Sequence, residues 1–308
     1  MTALAYHDLA REHLLAYAAR ETWAILPEWL DAVLARPVLP HVAQDDLLAA
    51  RQSNHKFGRV ARLPILGLIS KRNSFWSFFF GGTSIEGIRA ALRELQGDET
   101  IDTVLLDIDS PGGTASGLTE LAGDIRRVAE KKHIVALANN LAASAAYWIA
   151  SQADEVIATP DAMVGSIGVF TVHDDYSKRL EQLGIKPTYI HAGKYKVEGN
   201  PDEPLSEEAR QHIQSLVEAT YGLFVADVAR GRSVSTATVR SDYGEGRVLT
   251  PKHAQAAGMI DRIAGFDETV RRLTGMKSDE LIDPPQAGEA HQAQLAYMRR
   301  QLELAEKE

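Results

Sequence analysis

From about Arg59 the chain repeats one pattern: a short apolar run, a turn, then a stretch with helical period. The clearest copy is Ile101 to Ile108, a near-continuous apolar run that reads as a strand buried on both faces. It ends on the turn Asp109-Ser110-Pro111-Gly112-Gly113 and is followed by a helix from about Ser116 to Glu130. Further strands are expected at Val60–Ile69, Ile134–Ala138, Glu155–Ala158, Val164–Val172 and Thr188–His191. A capping box, Thr83-Ser84-Ile85-Glu86, opens a helix to Leu95. Helices are also expected at Leu141–Ser151, where small residues dominate, and at Asp174–Leu183. Strands alternating with helices through short links imply an α/β fold, a parallel sheet covered by helices. After Pro204 the chain turns helical, with a long amphipathic helix from Leu205 to about Arg230. Shorter helices follow near Thr236–Ser241 and Pro251–Ala257, then a last short strand at Met259-Ile260-Asp261.

Three segments are expected along the chain. Residues 1–55 form a helical N-terminal extension, with Leu14, Trp23, Ile25, Leu26, Trp29 and Leu30 on its apolar positions and Pro37 and Pro40 ending it. Residues 56–276 form the α/β domain. Residues 277–308 hold a linker with Pro284-Pro285 and a charged helical tail carrying Leu295, Tyr297, Met298 and Leu302. The run Phe75-Trp76-Ser77-Phe78-Phe79-Phe80 falls far short of the ~20 apolar residues of a membrane span and reads as a core or oligomer contact, ahead of the alternative of an apolar wall for a substrate. Charges among the first dozen residues argue against a signal peptide. The net charge of −9 argues against a nucleic-acid-binding surface. With no cysteine, disulfides, thiol catalysis and cysteine-held metals are excluded, which fits a cytoplasmic protein. No cofactor and no metal is expected.

Three pieces carry candidate chemistry. Ser144 stands in Leu141-Ala142-Ala143-Ser144-Ala145-Ala146, where small neighbours let a carbonyl substrate come close. A serine opening a helix sits among unpaired N–H groups that favour an anion, so the Ala145 N–H is a candidate oxyanion donor. Taken alone, Ser144 reads more readily as an N-cap or a small helix-packing residue than as a nucleophile. Gly112 and Gly113, at the end of a buried strand, let a ligand approach the backbone, and either N–H offers a second oxyanion donor. The turn matches neither the dinucleotide nor the phosphate-loop glycine pattern. A serine nucleophile needs a base. His173 and His191 are candidates without an evident aspartate partner; Lys196, in Gly193-Lys194-Tyr195-Lys196, is the alternative. A lysine base must fall from ~10.4 to roughly 7–8, through desolvation and a nearby cation such as Lys194.

These segments together resemble the signal peptide peptidase A (protease IV) family of serine–lysine peptidases, most of all its phage prohead (capsid maturation) branch. The resemblance covers about residues 60 to 275. It rests on Asp109-Ser110-Pro111-Gly112-Gly113, Ala143-Ser144-Ala145-Ala146-Tyr147-Trp148, Val164-Gly165-Ser166-Ile167-Gly168-Val169 and Gly193-Lys194-Tyr195-Lys196. It implies a ClpP/crotonase-like fold of repeated ββα units. It implies Ser144 as nucleophile, Lys196 as general base, Ser166 as the residue that orients the lysine, and Gly112 or Gly113 with Ala145 as oxyanion donors. The family usually has two glycines after the nucleophile, where this chain has Ala145-Ala146. The implied function is a serine endopeptidase that processes capsid, scaffold or portal proteins as a homo-oligomer, in the host cytoplasm or the immature virion. The alternatives are a cytoplasmic bacterial peptidase that degrades membrane-derived peptides, and a non-proteolytic assembly scaffold with the same fold.

Overall fold

The computed structural model describes residues 21–30, 55–72 and 82–275. Most of the expected N-terminal helical extension, the Phe75–Phe80 run and the tail from 277 onward lie outside the described residues. The core is built from three strands, β3 (Val60–Leu66), β6 (Thr103–Ser110) and β8 (His133–Ala143), which pair in parallel with Val60 opposite Thr103 and Thr103 opposite His133. Alternate residues explain the unbroken apolar runs. Val104, Leu106, Ile108, Ile134, Ala136 and Ala138 face the main core, while Leu105, Val135 and Leu137 face a second cluster on the other side. Both faces of the sheet are covered, as expected of parallel strands. Strands β2 (His55–Phe57), β9 (Glu155–Ala158), β10 (Met163–Gly165), β11 (Val248–Leu249) and β12 (Arg262–Ile263) complete this sheet.

Two of the core strands then run on into a second layer. A four-stranded sheet has the order β1 (Trp23–Ile25), β7 (Gly112–Thr114), β4 (Ile69–Ser70), β5 (Thr83–Ser84). Thus β3 passes to β4 and then to helix α1 (Ile85–Gly97), and β6 passes to β7 and then to α2 (Leu118–Ala129). The third unit passes from β8 directly to α3 (Ala145–Ala150). This repeat of two strands and a helix is the α/β architecture expected. The remaining helices are α4 (Ser177–Gln182), α5 (Glu207–Gly231), α6 (Thr236–Asp242), α7 (Pro251–Ala256) and α8 (Phe266–Thr274). No helix among the described residues is long and apolar enough to cross a membrane.

Several local expectations change. Residues 141–143 are strand, not helix, because Leu141, Ala142 and Ala143 pair with Met163, Val164 and Gly165 of β10, a distant partner that overrides alanine's helical preference. The strand expected over 164–172 stops at Gly165, where Gly165 and Ser166 take φ values of 122° and 53°. Thr188–His191 forms no strand and is exposed. The N-cap of α1 is Ser84, whose Oγ accepts from the Gly87 N–H; Thr83 lies in β5 and bonds Leu66 instead. The last strand falls at Arg262–Ile263, beside β9, rather than at 259–261. Trp23–Ile25, expected as helix, is a strand, since both its edges find partners.

Helix α3 is short and fully buried, so neighbours must hold it. Tyr147 donates its hydroxyl to the Met259 carbonyl at 2.8 Å. The Trp148 ring stacks on Phe224 of α5 at 4.3 Å between centroids, and its Nε1–H reaches Asp227 at 3.1 Å. Asp227, 3% exposed, also pairs with Arg126 and Arg230. Just beyond α5, Arg232 clamps Asp261 through two hydrogen bonds of 2.7 and 3.0 Å, and Asp261 accepts from the Val156 N–H. Burial pushes the Asp261 carboxyl up, but the bonds from Arg232 and Val156 outweigh it and hold the carboxyl below the usual carboxylate range.

Asp227→Ala strands the Trp148 Nε1–H and removes the carboxylate facing Arg126, and should cost about 3 kcal/mol of unfolding free energy in urea titrations, with Asp227→Asn recovering part of it. The depressed Asp261 value gives a sign for acid: its contribution is complete above ~3.9, the unfolded value, and is lost as pH falls through the lower folded value. The urea midpoint should therefore drop steeply below about pH 4, and Asp261→Asn should flatten that limb.

Candidate active site

The peptide unit at Ser144 joins β8 to α3 and bends sharply. Its φ of 55° and ψ of −116° lie in a region that non-glycine residues rarely occupy. Such strain is the signature of a strand-to-helix elbow that presents a side chain at a sheet's end. The bend is held from both sides: the Ser144 N–H donates to the Gly165 carbonyl at 2.7 Å, and the Ser144 carbonyl accepts from the Trp148 N–H at 2.9 Å. Because the positive φ falls on Ser144 itself, Ala145 and Ala146 continue as ordinary helix and need no glycine. The Ala145 N–H, first in the helix, has no intrahelical acceptor. The Ser144 Oγ donates to the Gly168 carbonyl at 3.3 Å, and the residue is fully buried.

The glycine turn lies against this elbow. Ser110, fully buried, bridges it: its Oγ donates to the Gly67 carbonyl at 2.6 Å and accepts from the Gly112 N–H at 3.1 Å. The Gly112 N–H is thereby committed, whereas Gly113 lies in β7 facing a neighbouring strand. A Cβ on Gly113 would fall 1.7 Å from the Ile69 carbonyl oxygen, so only glycine lets β7 pack against β4. Ser110 had no signal in the sequence beyond its place in the motif; only its buried contacts show what it does.

Ser166 is buried beside the elbow, with its N–H bonded to the Arg247 carbonyl at 2.8 Å. Lys196 lies on the surface. It closes a turn with the Gly193 carbonyl at 3.1 Å and is exposed, and among the described residues no hydrogen bond links its side chain to Ser144 or Ser166. Lys194 is not the bare cation expected beside it: its ammonium bonds the Tyr195 hydroxyl at 2.6 Å and faces Glu208 at 3.4 Å. Tyr195 and Glu208 raise the Lys194 pKa above the ordinary lysine value. The histidines are engaged away from the elbow, His173 with the Asn200 carbonyl at 3.3 Å and His191 with the Gly193 carbonyl at 3.1 Å. Residues 181–196 are all exposed, and they include Leu183, Ile185 and Ile190, the last 97% open to solvent.

The structure therefore brings together Ser144, Ala145, Ser166, Gly112 and Gly113, and places Lys196 on an exposed arm. A strained serine, a helix-start N–H without an intrahelical acceptor and a glycine strand edge are the kinds of group that the nucleophile and oxyanion parts of an acyl-transfer site require. No group of three or more metal-ligating side chains occurs among the described residues.

The profile of peptidase family S49 matches residues 126–278. Capsid assembly protease C of Escherichia phage lambda is 32% identical over 249 residues, covering 81% of this chain and 56% of that protein. The putative signal peptide peptidase SppA of Enterococcus faecium is 30% identical over 239 residues, covering 77% of this chain and 67% of that protein. Among solved structures, a ClpP1 from Listeria monocytogenes aligns with 74% of this chain and 99% of its own, at 14% identity and a TM-score of 0.42. The chain spans little more than half the length of the phage lambda relative. Membership is nonetheless plain from the extent of the SppA match: this chain belongs to peptidase family S49.

Proposed function

We propose that the protein is a serine endopeptidase that uses Ser144 and Lys196 as a dyad. The observation that carries the reading is the elbow: a fully buried serine at φ 55°, next to a free helix-start N–H and the glycine edge of β7. In this reading the Ser144 Oγ attacks a peptide carbonyl while the Lys196 Nζ takes its proton. The Ala145 N–H, with the Gly113 N–H, holds the oxyanion, since the Ser110 Oγ takes the Gly112 N–H. The C–N bond then breaks, the amine leaves with that proton, and water releases the acyl group from Ser144 by the same route. Ser166 orients the lysine. Neither a metal nor a cofactor takes part.

The lysine must travel to the serine. The exposed arm at 181–196 shows Leu183, Ile185 and Ile190 to solvent, and Leu216 and Leu223 of α5 are each about half exposed, apolar surface of the kind that oligomer contacts cover. A homo-oligomer buries this surface and delivers Lys196 to the elbow. Likeness to capsid assembly protease C supports a role in phage head assembly, with capsid, scaffold or portal proteins as substrates in the host cytoplasm or immature virion. Likeness to the E. faecium putative SppA favours the second reading, a bacterial peptidase that degrades membrane-derived peptides.

Ser144→Ala should lower kcat/KM for an extended peptide by about 10⁴-fold or more, and Lys196→Ala by roughly 10²–10⁴-fold. Unchanged cleavage in either variant would sink the dyad, and a wild-type chain that assembles heads without cleaving anything would mark it as a scaffold. Mixing the two inactive variants should restore part of the activity if the lysine arrives from a second copy. No recovery in a stable oligomer would mean that the arm closes within its own chain.

A further inference from the structure

Ser144 is sealed, and the strand beside it is the chain's own. Residues 21–26 run extended between two edges. On one side β1 pairs antiparallel with β7, matching Trp23 with Thr114, Ala24 with Gly113 and Ile25 with Gly112. The Leu26 N–H donates to the Pro111 carbonyl at 3.0 Å, and the Ala115 N–H donates to the Thr22 carbonyl at 3.0 Å. On the other side Trp23 and Phe170 exchange both backbone bonds, at 2.8 and 3.0 Å, and the Thr171 hydroxyl donates to the Glu21 carbonyl at 3.0 Å.

Hydrogen-bonded pairs alternate along an antiparallel ladder. With 26/111 and 22/115 bonded, Ala24 and Gly113 form the bonded pair between them, so the Gly113 N–H faces the Ala24 carbonyl. That carbonyl lies close to the elbow: a Cβ on Gly112 would fall 2.2 Å from the Ala24 oxygen and 3.0 Å from the oxygen of Ala143, the residue before Ser144. The segment thus presents a peptide carbonyl to a candidate oxyanion donor, beside the nucleophile, in an extended conformation bonded along both edges. An external peptide captured by strand addition would take the same place. Trp23, Ala24 and Ile25 are buried to within 2%.

We propose that Glu21–Leu26 is an internal stand-in for the substrate strand, which closes the peptide cleft until a polypeptide substrate displaces it. The proposal rests on the reading of Ser144 as the nucleophile. It also names the ligand class: an extended peptide with a small residue opposite Gly113 and bulky apolar neighbours, as in Trp23-Ala24-Ile25. A tethered strand competes at a high effective concentration, so the apparent affinity for free peptide falls by the fraction of molecules whose cleft is open.

The test uses the full chain carrying Ser144→Ala, so that binding is read without chemistry. A fluorescein-labelled synthetic copy of residues 21–30 is added, and amide hydrogen exchange is followed by mass spectrometry. The expected result is loss of protection at 21–26 while 112–115 stay protected. Protection at 21–26 that does not change at millimolar peptide overturns the proposal. In the same background Ala24→Arg, which forces a charge into the sealed position, should bind the labelled peptide roughly tenfold tighter or more. With Ser144 restored it should lower KM and leave kcat unchanged. A strand that serves only the fold would instead give a less stable chain with no gain in peptide binding. If displacement occurs but wild-type protein cleaves no peptide, the peptidase reading fails and the cleft assignment stands.

Discussion

The backbone bend at Ser144 is the constraint on which the rest of the site depends. A non-glycine residue at φ 55° costs energy that the surroundings must supply. Here the Gly165 carbonyl holds the Ser144 N–H, and the first turn of α3 holds its carbonyl. Behind the helix, Trp148 stacks on Phe224 and donates to Asp227, while Tyr147 reaches Met259. The two bulky residues after the alanines therefore act as anchors, and the alanines before them leave the space in front of the serine open to a backbone. Small residues on one side of the elbow and large ones on the other serve a single purpose.

The same economy shapes the cleft. Gly113 lets β7 lie close on β4, and Ser110 ties the preceding turn to Gly67 and occupies the Gly112 N–H. What remains on the free edge of β7 is a row of backbone groups that demands a strand partner. Residues 21–26 provide one. Ser144, at the neighbouring elbow, is completely buried.

The lysine follows a different logic. The elbow is rigid and buried, whereas Lys196 sits in a turn on an arm with few contacts of its own and Ile190 almost wholly exposed. Segments with little buried area open and move at low cost. In the proposed dyad the serine and the lysine sit on a buried and an exposed element, so its assembly depends on how that arm is docked.

The α/β class, the covered parallel sheet and the three motif segments were legible from the sequence, because apolar periodicity and glycine turns act locally. The amphipathic helices at 118–129 and 207–231 fell close to where their patterns put them, for the same reason. Other features needed partners that are distant along the chain. Leu141–Ala143 became strand because Met163–Gly165 lies alongside, and Trp23–Ile25 became strand because β7 and Phe170 offered edges on both sides. Motif spacing singled out Ser144, Ser166 and the glycines, and the fold brought them together, while Lys196 lies exposed. Sequence determined which elements form and which residues stand as candidates for the chemistry, since composition and local pattern choose the elements. Only tertiary structure decided what each strand edge meets, since hydrogen-bond pairing between remote segments depends on their packing in space.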